Sequence, residues 1–409
     1  MSFFIAVLGL AFLILIHELG HFLTARAVGM RPRRFYVGFP PAIVKTTRNG
    51  IEYGLGAIPL GGYVKIPGMH RPAPADVDVH FGAAVYEAPG LVGPIERVKR
   101  PLDEGDLETA RRVLPELQEA VAAARLSSGA ARAAERGLAE IDDALSPQAY
   151  WRQRTWKRLA VIGAGPGTNL VFAVVLIAVF YMLGTPVDAS RRVASIEPKT
   201  PAAAAGLRPG DTIVAINGQV TNTFKEVRRR ITQSGGKPLV VSVFRGPRVV
   251  TLKPVHPKKI EGYYALGFHP AGIRYKHYGP IRALRLAAQD TWDATKRLGG
   301  FFGHITRKSS RKEISGPVGI VNASSQAVQS GHHEYLLILA LISLSLGLLN
   351  LLPLLPLDGG HIAFSIVEGI RGKAVGRIVY ERVSAVGIAL ILVLYVIGIS
   401  NDVGRLGGG

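Results

Sequence analysis

The stretch Phe3–Phe22, FFIAVLGLAFLILIHELGHF, decides the fold. It is close to the roughly 20 apolar residues that cross about 30 Å of hydrocarbon, yet its far end holds two histidines and a glutamate. A secretory signal would carry a basic region before its apolar run and a small-residue cleavage site after it. This segment has neither, so it reads as a retained membrane helix. Ionisable residues inside a span cost on the order of 2–3 kcal/mol each and are functional groups by default.

Three more stretches have span character: Ala160–Leu183, Tyr335–Leu352 and Val383–Ile399. With 48% hydrophobic residues and a mean hydropathy of +0.24, the 409-residue chain is too apolar for an ordinary soluble protein. Four spans put both termini on one side. The flanks after the first span (Arg26, Arg31, Arg33, Arg34), before the second (Arg152, Arg154, Lys157, Arg158) and between the third and fourth (Arg371, Lys373, Arg377, Arg382) are basic, whereas Ser315–Glu334 has no Lys or Arg. The basic flanks are therefore expected in the cytoplasm and both termini outside.

His17-Glu18-Leu19-Gly20-His21 is an H-E-x-x-H pattern. On a helix, positions i and i+4 share a face, so both imidazoles can hold one Zn²⁺ while Glu18 beside them takes a proton from water. By chance the pattern arises in about one or two chains in a hundred of this length, too rarely for coincidence inside a span. The chain has no cysteine, which excludes thiol catalysis, disulfides, zinc ribbons and iron–sulfur clusters. A third ligand must then be His, Asp or Glu at membrane depth, and the run Asn350–His361, NLLPLLPLDGGH, offers it. Asp358 is the choice, because Pro353 and Pro356 break the helix and let the carboxylate turn inward. His361 is the alternative ligand, with an outer role or an interfacial one as its other reading. Asn350 can hydrogen-bond a substrate strand or another helix. First and third spans run in the same direction, so both motifs arrive at the cytoplasmic side of the bilayer.

Between the spans the chain changes character. Phe35–Val37 and Ala42–Thr46 are two short strand-like runs, and Gly50–Ile66, GIEYGLGAIPLGGYVKI, reads as β-hairpin sequence able to dip into the bilayer if it lines a protein cavity. Over residues 71–150, Leu107, Leu114, Leu117, Val121 and Leu138, Ile141, Leu145 recur at helical spacing around a Ser127-Ser128-Gly129 turn, predicting a helical hairpin. After the second span, β-like runs Val193–Ile196, Thr212–Ile216, Leu239–Phe244 and Val249–Leu252 surround a helix pattern at Phe224–Ile231 and a turn at Gly206–Asp211. That order, with AGLRPGD followed by IVAING, resembles a PDZ domain, and implies peptide capture by strand addition beside the helix. An amphipathic helix is expected from Tyr278 to Ile305, on the membrane surface.

Taken together, HELGH in a first span, GPGTN opening a second, a PDZ-like stretch, then SGPVGI (Ser315–Ile320) and NLLPLLPLDGGH in a third resemble the site-2 protease family of intramembrane zinc metalloproteases, in its bacterial single-PDZ form. The resemblance covers nearly the whole chain apart from residues 71–150. It implies Zn²⁺ on His17, His21 and Asp358, and water activation by Glu18. It implies also a membrane-associated β-element containing Gly61 and Gly62 that guides substrate, and an asparagine, Asn350, that holds an extended substrate segment.

The expected fold is an α-helical polytopic membrane protein of four transmembrane helices, with a membrane-associated β-element and an inserted extracytoplasmic PDZ-like α/β domain. Residues 1–24 form the first transmembrane helix, 25–70 the β-hairpin region, 71–150 a cytoplasmic helical insertion, and 151–184 the second transmembrane helix. Residues 185–275 form the PDZ-like domain and 276–334 the amphipathic helix and linker. Residues 335–362 form the third transmembrane helix, 363–382 a cytoplasmic loop, and 383–409 the fourth helix and tail. The expected setting is the bacterial cytoplasmic (inner) membrane.

Expected partners are the lipid bilayer, transmembrane protein substrates such as anti-sigma factors or remnant signal peptides, and peptide or protein termini at the PDZ-like domain. Nucleic acid is not among them: the net charge of +20 comes with no nucleic-acid motif, and much of it lies at membrane flanks. The alternative function is a non-proteolytic zinc-binding scaffold or metal carrier, which needs the ligands but no base at Glu18.

Overall fold

The computed structural model describes residues 1–260, 263–302, 315–373, 375 and 377–407. Among the described residues four helices are long and apolar enough to cross a membrane, over Ser2–Ala27, Thr155–Leu183, His332–Asn350 and Val379–Arg405. Each matches an expected span to within a few residues. The first, α1 (Ser2–Ala27), has 26 residues and so is about 39 Å long at 1.5 Å per residue, enough to cross with some tilt. Phe4 and Leu8 in α1, Val171 in the second helix and Leu392 and Val396 in the fourth are exposed. Such apolar faces are costly in water and ordinary in lipid.

The chain divides into two compact units, Met1–Leu176 with Ala288–Gly409, and Ile177–Ala287. In the first unit α1 leads into a long antiparallel hairpin, β1 (Arg34–Arg48) with β2 (Ile51–Lys65). The two short runs expected in this region both lie in β1 and pair separately, Phe35–Val37 with Gly62–Val64 and Tyr53–Leu55, and Ala42–Arg48 with Ile51–Gly56. Asn49 and Gly50 make the turn with φ of 53° and 75°, the left-handed pair that matches strand twist. Pro40 and Pro41 lack N–H donors, and the pairing register is irregular between Val37 and Val44. The Phe22 ring packs on Phe35 at 5.0 Å and on Tyr53 at 6.0 Å, which holds the hairpin against α1.

The insertion has four helices where a hairpin of two was expected: α2 (Pro74–Glu87), α3 (Val92–Glu104), α4 (Leu107–Ala123) and α5 (Ser128–Leu145). The predicted pair is α4 and α5, but each packs more extensively on a helix the expectation omitted, α4 on α3 and α5 on α2. Proline density hid α2 and α3. Pro74 sits in the first turn of α2, where its missing N–H costs nothing. Val77, Phe81, Val98, Leu102, Leu114, Leu117, Leu138 and Ile141 form one buried core. Asp106 and Ser127 cap the N-termini of α4 and α5, accepting from Thr109 N–H and Ala130 N–H. Asp143, 5% exposed, accepts from Arg33 Nε at 2.7 Å and ties the insertion to the base of the hairpin.

Helix α6 (Thr155–Leu183) runs from the first unit into the second. Within residues 177–287 a four-stranded antiparallel sheet joins Gln219–Val220, Thr212–Ile216, Val241–Arg245 and Arg248–Thr251 in that order. Val193–Ile196 pairs instead with Phe268–Pro270, and the helices of this unit include α7 (Pro201–Ala205) and α8 (Phe224–Gln233). The expected strands and helix are present here within a few residues. The amphipathic helix, α9, spans Pro280–Phe302, and the last three of its expected positions lie outside the described residues.

Helix α10 (Pro317–Ser330) precedes α11 (His332–Asn350), the third membrane-length helix. That helix stops at Asn350, and Asp358 opens a separate helix, α12 (Asp358–Arg371). Expectation had carried the span to residue 362 and left 363–382 as loop. Pro353 and Pro356 interrupt the backbone as expected, but beyond them the apolar positions Ile362, Ile366 and Ile370 recur every four residues and restart a helix. The last helix, α13, covers Arg377–Gly407.

Candidate active site

His17, Glu18 and His21 share one turn of α1, and both histidines are buried, 7% and 6% exposed. Asp358, more than 300 residues away in sequence, meets them from the first turn of α12, where unpaired backbone N–H groups favour a carboxylate. His17 Nε2 lies 3.2 Å from Asp358 Oδ2, His21 Nε2 lies 3.4 Å from the same oxygen, and the two Nε2 atoms are 3.3 Å apart. Asp358 Oδ2 is buried with no hydrogen-bond donor aimed at it. Among the described residues this is the group of three that could hold a metal ion.

The fit to zinc can be tested on those edges. Tetrahedral Zn²⁺ with ligands at 2.0–2.1 Å requires ligand atoms about 3.3–3.4 Å apart, and the three edges here are 3.2, 3.3 and 3.4 Å. Two imidazole nitrogens and one carboxylate oxygen are also a donor set this ion takes, with the fourth position left open.

Helix α6 orients both rings. His21 Nδ1–H donates to the Val161 carbonyl at 2.8 Å, which leaves Nε2 with its lone pair toward the triangle. Asn169, fully buried, lies with Nδ2 3.1 Å from His17 Nδ1, while its Oδ1 has no partner. Exchanging the amide oxygen and nitrogen, which have nearly the same shape, lets Oδ1 accept from His17 Nδ1–H, which leaves His17 Nε2 with its lone pair toward the triangle. Sequence reading quoted Asn169 within GPGTN but gave it no role. The signal available was a polar side chain inside a span.

Close approach explains two glycines. A Cβ on Gly165 would sit 2.2 Å from His21 Nε2, and one on Gly62 would sit 2.1 Å from Glu18 Cγ. The hairpin therefore lies directly against the glutamate, at one of the two glycines expected to meet substrate. Gly61 faces the Phe39 ring instead. Asn350 ends α11 half-buried, eight residues before Asp358. His361 is not in the triangle; its Nδ1 is 3.0 Å from Tyr380 Oη. His332 and His333 stack on each other at 4.4 Å in the first turn of α11.

Membrane-length helices together with a buried His/His/Asp triangle and a glutamate beside it mark an intramembrane metalloprotease. The chain belongs to Peptidase family M50, the site-2 protease family, whose family model matches residues 5–394. It is similar to Protease RseP of Yersinia pestis, 30% identical over 98% of each chain, and to Zinc metalloprotease RasP of Oceanobacillus iheyensis, 29% identical over 96% of each. It is thus a multi-pass membrane enzyme whose substrates are membrane proteins.

Proposed function

We propose that this chain is a zinc metalloendopeptidase that cleaves a peptide bond within or beside a substrate's transmembrane segment, with His17, His21 and Asp358 holding the metal and Glu18 acting as the base. The carrying observation is the triangle of 3.2–3.4 Å edges around a buried carboxylate oxygen that has no hydrogen-bond donor. Zn²⁺ in such a site supplies Lewis-acid polarisation of water and of the scissile carbonyl near neutral pH. Glu18, on the same helical turn as both histidines, takes a proton from the attacking water on a carboxylate oxygen and delivers it to the leaving amine nitrogen. The Val161 carbonyl and Asn169 hold both imidazoles with Nε2 turned toward the metal site.

A substrate helix hides its carbonyls in its own hydrogen bonds and must unwind before cleavage. Strand β2, with Gly62 pressed on Glu18, offers an extended backbone for the unwound segment to pair with. Gly61 and Asn350 are assigned to the same path.

Residues 185–275 serve as a PDZ-like module on the extracytoplasmic side that screens peptide or protein termini. Its strand and helix order supports this, as does the arginine and lysine content of the opposite flanks. The insertion over 71–150 and the metal site then lie toward the cytoplasm of a bacterial inner membrane, and anti-sigma factors or remnant signal peptides fit as substrates.

Cleavage of a tagged single-span substrate in detergent, with bound zinc counted, tests the roles. Wild type is expected to cut, Glu18→Gln to keep zinc without cutting, and Asp358→Ala to lose most of its zinc. Equal cutting by Glu18→Gln would sink the mechanism, and zinc without cutting in every form would favour a carrier.

A further inference from the structure

The metal triangle draws its parts from α1 and α12, α6 orients both histidines, and one tyrosine outside the triangle joins α6 to α12. Tyr150 follows the insertion, and its backbone is held by the chain leaving the hairpin: Tyr150 N–H donates to the Pro67 carbonyl at 2.9 Å and Trp151 N–H to the Gly68 carbonyl at 3.0 Å. Its side chain is 2% exposed. The phenol oxygen lies 3.1 Å from Ser365 Oγ on α12 and 3.5 Å from the Arg158 carbonyl on α6. Ser365 is itself 1% exposed. A buried hydroxyl without a partner is penalised, so a chain from Ser365 through Tyr150 to the Arg158 carbonyl satisfies both groups at once.

A second strap runs beside the first. The Arg158 guanidinium lies over the Tyr150 ring at 5.0 Å and donates to Glu368, three residues beyond Ser365 on α12. Helical spacing carries these contacts to the site. Ser365 is seven residues after Asp358, two turns along the same face of α12. On α6, Arg158 is followed at helical spacing by Val161, Gly165 and Asn169, the three residues that touch His21 or His17.

We propose that Tyr150 is a positioning residue for the metal site: its hydroxyl sets the register between α6, which orients both histidines, and α12, which carries Asp358. This rests on the metal-site reading above. Because the backbone of Tyr150 hangs on the hairpin exit and the end of the insertion, the folding of residues 71–150 is tied through it to the geometry of the Asp358 carboxylate.

The test uses the full-length protein in detergent, with Tyr150→Phe, Ser365→Ala and the double variant. Zinc affinity is read by competition with a chelator, the metal environment by the visible absorption of the Co²⁺-loaded protein, and turnover by kcat and KM on a single-span substrate. Each single variant is expected to bind zinc about tenfold more weakly and to shift the Co²⁺ absorption. Turnover, kcat, should also fall about tenfold at unchanged KM. The double variant should be no worse than either single one, because both remove the same link. Wild-type zinc affinity and Co²⁺ absorption in the single variants, with only the melting temperature lowered, overturn the proposal, as does a double variant whose losses multiply. A wild type that binds neither metal fails the metal-site reading itself, and the proposal with it.

Discussion

The helical insertion and the membrane-embedded site place their charges in opposite ways. Residues 71–150 carry 9 basic and 14 acidic side chains, and ion pairs such as Arg97 with Glu116 and Arg100 with Glu104 lie on exposed surface. Water solvates those groups whether or not they meet, so each pair adds little. At the site, three polar atoms are packed within 3.4 Å of one another among buried groups. Polar groups taken out of water must find specific partners or destabilise the fold. The insertion thus stands on its apolar core with mostly exposed charges, the buried Asp143 that meets Arg33 apart, while the site is specified atom by atom.

The contrast can be broken most decisively at Gly165. Alanine there would place a methyl 2.2 Å from His21 Nε2, and a displacement of even about 1 Å at a catalytic group costs about 100-fold in rate. Gly165→Ala is therefore expected to lose at least that much turnover together with bound zinc, measured by cleavage and metal content. Wild-type values would mean that the site is not specified so tightly.

A smaller effect is expected at Asp211, in the unit Ile177–Ala287. It is 2% exposed and accepts from Arg245 Nε at 2.9 Å and Nη2 at 2.7 Å, and from Arg208 N–H at 2.8 Å. Burial pushes its carboxyl up, but the Arg245 guanidinium and the Arg208 N–H outweigh that and hold it below the usual range. A depressed carboxyl stabilises the fold above its unfolded pKa of about 3.9, and that stability is lost as pH falls through the lower folded value. Asp211→Asn should lower the unfolding temperature of this unit by on the order of 10 °C at pH 7 and flatten its dependence on pH below about 4. Hydrogen exchange over residues 177–287 in the full chain reads both. An unchanged profile would place this pair with the interchangeable surface charges.

The smallest effect belongs to Arg100→Ala in α3. Its exposed pair with Glu104 is expected to leave melting temperature and turnover unchanged within error, in calorimetry and in the cleavage assay. A fall of several degrees would show that the insertion, too, depends on particular charges.

Much of this was legible along the chain because the forces involved are local. Apolar runs of membrane length located all four helices, and Pro353 and Pro356 located the break before Asp358. Helical spacing in α4 and α5 was readable, whereas α2 and α3 were hidden by prolines that sit at helix starts or, like Pro101, within the helix itself. Helix α12 was missed because the expected span runs through Gly359 and Gly360 to residue 362 with loop beyond it, although Ile362, Ile366 and Ile370 recur at helical spacing. Asn169 could be seen as a polar residue in a span, but not as the partner of His17.

Residue type and spacing alone were enough to place His17 and His21 on one helical face with Glu18 beside them in a membrane-length segment and to nominate Asp358 as the third ligand, since both inferences depend on 3.6-residue periodicity and on the cost of burying charge. Three-dimensional packing settled which nitrogen of each histidine faces the aspartate, why Gly165 and Gly62 carry no side chain, and how Tyr150 spans from α6 to α12. Those facts rest on contacts between residues as far apart as 17 and 358, and no local pattern encodes the register at which two distant helices come to rest.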